Sequence, residues 1–231
     1  MKKRILGVMA TVTVLSVVLS ACGKSAGGSK EEPLDGGWSN YNDIETAVLT
    51  DESKEAFDTA MASYDGDELE PAALLATQIV AGKNYAYLAK AKDKADWYVV
   101  VVYQDLQGNA SVTSANEINT GNPMTTEPAP KEHIVGGWAI EPSGDLNTLP
   151  TEIQDAFKSA AEEYEDVFLT PLAILETQVV AGMNYTILCH GVTSGDDPVE
   201  AIYFATFYVD PQQKGRITDA KMMDFLSYLG Q

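Results

Sequence analysis

Between residues 51 and 64 apolar side chains recur at helical spacing: Ala56, Phe57, Ala60, Met61 and Tyr64 fall on one face. Asp51 suits an N-cap and Glu52 the first turn, so a helix is predicted there, ended by Asp65-Gly66-Asp67. Beyond Pro71 the pattern becomes that of strands. Residues 72–80 and 84–90 read as the two arms of a hairpin. Residues 97–103 (WYVVVVY) read as a buried strand, and 110–118 as a final, more polar one. The turn between these last two is Asp105-Leu106-Gln107-Gly108-Asn109.

The whole series then returns. Residues 36–85 and 136–185 align without a gap and agree at about 20 of 50 positions, the mark of a duplicated unit. Gly36-Gly37-Trp38 returns as Gly136-Gly137-Trp138, and Gln78-Ile79-Val80-Ala81-Gly82 as Gln178-Val179-Val180-Ala181-Gly182. Thr151-Glu152-Ile153-Gln154 has capping-box spacing at the start of a second helix. After Tyr185 the register shifts by five, through a longer loop at 190–200. Residues 224–229 form a tail, either a short amphipathic helix or an extra strand.

Residues 119–133 hold three prolines and no apolar pattern, which reads as a linker. The expected organisation is a leader at 1–21, a tether at 22–33, a domain at 34–118, the linker at 119–133 and a second domain at 134–231. Each domain is expected to be α+β, one helix packed on a four- to five-stranded antiparallel sheet, because the strands cannot bury both faces alone and the helix's apolar face covers the sheet. The linker implies that the two domains act independently.

Charge narrows the partners. A formal charge of −19 disfavours nucleic acid, whose phosphates need Lys and Arg. The basic residues Lys2, Lys3 and Arg4 precede an uncharged apolar run at 5–19. That run is short for a membrane span and suits a signal peptide. Leu19-Ser20-Ala21-Cys22 then resembles the lipobox of bacterial lipoproteins. The resemblance implies cleavage before Cys22, lipid on its thiol and an extracytoplasmic protein anchored to the bacterial cell membrane.

With Cys22 lipidated, Cys189 has no intrachain partner and reads as a small buried apolar residue. No catalytic set is expected. Cys189 and His190 are adjacent on a strand and so point to opposite faces, while His133 lies in the linker. No cluster has metal-ligand spacing, and no cofactor is implied.

A Gly-Gly pair, one helix with Ala-Phe and a later Tyr, then Gln-x-Val-Ala-Gly-x-Asn-Tyr: in both copies this resembles the cystatins. The resemblance implies a tandem cystatin-like inhibitor of papain-like cysteine proteases, and not an enzyme. In that family a wedge enters the active-site cleft. Its first part would be Gly36 and Gly37, and again Gly136 and Gly137. Its second would be the hairpin of Gln78, Ile79, Val80, Ala81 and Gly82, and again Gln178, Val179, Val180, Ala181 and Gly182. The third part, a second loop often bearing Pro-Trp, departs from the pattern. Neither Asp105-Leu106-Gln107-Gly108-Asn109 nor Asp210-Pro211-Gln212-Gln213-Lys214-Gly215 contains Trp. Loss of that anchor is expected to weaken binding by about 1–3 kcal/mol. The alternative function is a non-inhibitory surface-binding or adhesion module that uses the same fold.

Overall fold

The computed structural model describes residues 38–40, 48–94, 96–122, 138–140 and 150–229, with 38–40 and 138–140 described by their backbone path. The leader, Cys22, the tether and linker residues 123–133 lie outside the described residues.

The first repeat opens with β1 (Trp38–Asn40) and α1 (Asp51–Met61). The helix is capped by Thr50, one residue before the expected Asp51. The Thr50 hydroxyl accepts the Ser53 N–H at 3.1 Å. Four strands follow: β2 (Leu69–Val80), β3 (Gly82–Ala91), β4 (Trp97–Gln104) and β5 (Ala110–Glu117). The second repeat repeats the order with β6 (Trp138–Ile140), α2 (Thr151–Glu162), β7 (Val167–Val180), β8 (Gly182–Thr193), β9 (Glu200–Val209) and β10 (Gly215–Met222). It ends in a four-residue helix, α3 (Phe225–Tyr228). The expected capping box at Thr151 is not made. Pro150 is the N-cap of α2, and no side chain caps it.

Each repeat forms one antiparallel sheet in chain order, β1-β2-β3-β4-β5 and β6-β7-β8-β9-β10. In each, four long strands carry the sheet and a three-residue strand lies at one edge. The expected α+β class is therefore corrected. Among the described residues strand far outweighs helix, which is confined to three short segments, so the fold is mostly β. The physical reason lies in the strands. β4 is apolar on both faces, and one short helix does not cover both faces of a sheet.

The second face finds its cover in the other repeat. One buried cluster joins Leu75, Leu88, Trp97, Val99 and Val101 of the first sheet to Leu172, Leu175, Leu188, Ile202 and Phe204 of the second. The Trp97 indole N–H donates to the Leu175 carbonyl across this boundary at 3.1 Å. The tail closes the same cluster with Met223, Phe225 and Leu229. Ser114 and Asn116 of β5 donate to the Tyr228 carbonyl at 3.3 and 2.9 Å. Both repeats thus belong to one compact unit.

Alternate residues on the same strands face the other way. Leu74, Tyr85, Tyr87, Val100 and Val102 share a cluster with Ala56, Phe57 and Ala60 of α1. Phe57 meets Tyr87 edge to face at 5.0 Å, and the Tyr87 hydroxyl donates to the Ser53 carbonyl at 2.7 Å. Ile153, Phe157, Ile187 and Phe207 make the matching cluster in the second repeat. A buried charge breaks the symmetry at one core position, where Ala76 is answered by Glu176. Its carboxylate accepts from Thr120 and Asn122 at 2.6 and 2.7 Å, which fixes the first residues of the expected linker.

Candidate functional site

Each long hairpin reverses on a single residue. Val80 pairs with Gly82 and Val180 with Gly182, which leaves Ala81 and Ala181 at the apex. So abrupt a reversal requires positive φ, and Gly82 and Gly182 both sit at φ 125°. A Cβ on Gly82 would collide with the Gln104 carbonyl oxygen, and one on Gly182 with that of Val209. Glycine is thus required by its own backbone and by the strand beside it.

The apex is braced from that neighbouring strand. The Tyr103 hydroxyl donates to the Ala81 carbonyl at 2.6 Å, and Tyr208 does the same for Ala181. The motif alone gave no sign of these tyrosines. The available signal was a Tyr two positions before the turn-forming Asp in both copies, at 103 and 105 and at 208 and 210. Replacing Tyr103 or Tyr208 by Phe is expected to cost about 1 kcal/mol or less of global stability, since these bonds are exposed. Amide exchange of Gly82 or Gly182 should nevertheless quicken. Unchanged exchange in either variant contradicts the bracing.

Below the apex the two arms are cross-linked. Asn84 donates its side-chain amide to Gln78 Oε1 at 2.6 Å, and Asn184 to Gln178 at 2.7 Å. Both expected contact glutamines are therefore engaged inside the hairpin, Gln78 buried and Gln178 half-buried. Ile79, Val179 and Val180 are half-buried. Val80, Ala81 and Ala181 are exposed.

Trp38 lies opposite Gln78 in antiparallel register, and Trp138 opposite Gln178, so the N-terminal ends of β1 and β6 point toward the apices. Gly36, Gly37, Gly136 and Gly137, which precede those ends in sequence, lie outside the described residues.

The second loop sits at the same end of each sheet, because Lys83 pairs with Gln104 and Met183 with Val209. Its form is set by one aspartate. Asp105 Oδ1 accepts the N–H of Gln107 and Asn109, and Asp210 Oδ1 accepts those of Gln212 and Lys214. Gly108 and Gln213 take the left-handed position, at φ 86° and 64°. These loops present Leu106, 80% exposed, and Pro211, also exposed.

The two ends differ in charge. At the first, Glu52 of α1 accepts from the Tyr85 hydroxyl at 2.7 Å and pairs with Lys83 at 3.4 Å. The Tyr85 hydrogen bond holds its carboxyl below the ordinary value; partial burial opposes this and Lys83 assists it. In the second repeat Met183 replaces Lys83, and the Arg216 guanidinium lies 5.0 Å over the Tyr208 ring.

Cys189 is fully buried among Ile187 and Tyr203, and burial pushes its thiol far up. A nucleophilic cysteine needs the opposite shift. His190 Nε2 lies 3.5 Å from Glu200. Among the described residues no group of three or more His, Cys, Asp and Glu is placed to hold a metal ion. No described helix is long and apolar enough to cross a membrane. No protein-family model matches the chain, and no curated protein matches it.

Proposed function

We propose that this chain inhibits papain-like cysteine proteases with the tips of its two long hairpins, held at a bacterial cell membrane by lipid on Cys22. It acts as a binding protein, not an enzyme. The observation that carries this reading is the apex. It is one small residue wide, exposed, and fixed by a glycine at φ 125° and by a tyrosine hydroxyl, in both copies. A cleft that seats an extended peptide admits such a tip, and a tip already rigid loses little entropy on docking. The likeness of residues 78–85 and 178–185 to the cystatin motif supports the same partner, as does the orientation of β1 and β6, whose N-terminal ends lie toward the apices.

The test is a titration of residues 24–231 against papain and cathepsins. Reversible inhibition that competes with substrate is expected. A second reading, a surface-binding module, is favoured by the inward engagement of Gln78 and Gln178. Absence of inhibition across the panel at high micromolar protein selects it.

A further inference from the structure

The two hairpin apices are built alike, but the surfaces beside them are not. Beside the first lies the exposed large hydrophobic side chain of Leu106. The one lysine on that hairpin arm next to the apex, Lys83, is already paired with Glu52. Asn109 donates its side-chain amide to Asp105, and Ser111 lies opposite Tyr103. Among those residues this end exposes one large apolar side chain and carries no cation outside a salt bridge.

In the second repeat Asn109 is answered by Lys214 and Ser111 by Arg216. Both are exposed. Among the described residues neither forms a salt bridge. The nearby Asp210 is turned onto the backbone of its own loop. Arg216 lies over the ring of Tyr208, the residue whose hydroxyl holds the Ala181 apex. Stacking fixes the guanidinium beside the apex without neutralising it. Two cations outside any salt bridge at one tip are conspicuous in a chain of net charge −19.

We propose that the two tips are binding ends of different chemistry, and that the second recognises an acidic surface, a protease cleft rimmed by carboxylates. This rests on the inhibitor reading and extends it. Charge complementarity supplies orientation and on-rate at the second tip, where Lys214 and Arg216 flank the inserted apex. Apolar contact through Val80 and Leu106 supplies binding at the first.

The experiment uses the whole chain with one tip blocked at a time, by Ala81→Trp or Ala181→Trp. These exposed alanines accept bulk without the backbone demand placed on Gly82 and Gly182. Binding to cathepsin L alkylated at its catalytic cysteine is measured calorimetrically in low and high salt, about 50 and about 500 mM NaCl. With the first tip blocked, affinity should fall about tenfold in high salt, and fall similarly on Lys214→Glu with Arg216→Glu. With the second tip blocked, salt should change affinity less than about threefold. Equal salt responses, or no effect of the double charge reversal, overturn the proposal. Binding only through the first tip overturns it too, while the inhibitor reading stands. No binding by the unmodified chain overturns both.

Discussion

Trp97→Ala is expected to lower the unfolding free energy by about 4 kcal/mol, and to do so for both repeats together. The indole is 3% exposed, lies between the two sheets and donates to the Leu175 carbonyl of the opposite repeat. Truncation leaves a cavity and removes the indole donor from the Leu175 carbonyl at a surface both repeats share. Urea unfolding followed by far-UV circular dichroism should give one transition before and after the change, shifted to lower denaturant. A first repeat that melts early while the second keeps its original midpoint contradicts the common core.

The second large effect is at the apex. Gly182→Val, or Gly82→Val, should lower stability by about 2 kcal/mol, since a β-branched residue at φ 125° is strained. Its Cβ also meets the Val209 or Gln104 carbonyl, so the apex must move. Under the proposed function, inhibition through that tip is expected to fall at least about tenfold, because a tip displaced by an ångström would no longer fit a narrow cleft. Gly108→Ala is the control for strain. It too has positive φ, 86°, but a Cβ there meets nothing within 4 Å, so its stability cost should be the smaller. Inhibition curves and thermal melts of the three variants decide. Equal costs at 108 and 182 would remove the argument from close approach.

Much of the strand order was legible because the repeat gave every element twice. The WYVVVVY run announced a buried strand, and β4 starts at its first residue. It did not announce what buries it. A run without alternation shows that both faces are covered, but not by what, and the class was misjudged for that reason. Trp97, Val99 and Val101 meet the other sheet, while Tyr98, Val100 and Val102 turn toward α1. The prolines at 119–133 argued for separation, yet Thr120 and Asn122 are tied to Glu176 of the second repeat. Nothing local in a polar stretch reveals a buried carboxylate more than fifty residues away. The hairpin tips were read correctly as tight and small. The hydrogen bonds within them were not legible, since a Gln opposite an Asn becomes visible only once the register is known.

The tail adds a consequence in time. Met223, Phe225 and Leu229 are, among the described core residues, the last that a ribosome makes, and they close a cluster that includes the first repeat. Ser114 and Asn116, made over a hundred residues earlier, wait for the Tyr228 carbonyl. The nascent first repeat therefore carries one apolar sheet face bare throughout synthesis of the second. Until it is covered, that face is exposed apolar surface of the kind that makes partly folded chains prone to aggregate, while the α1 side of the same sheet has a core of its own.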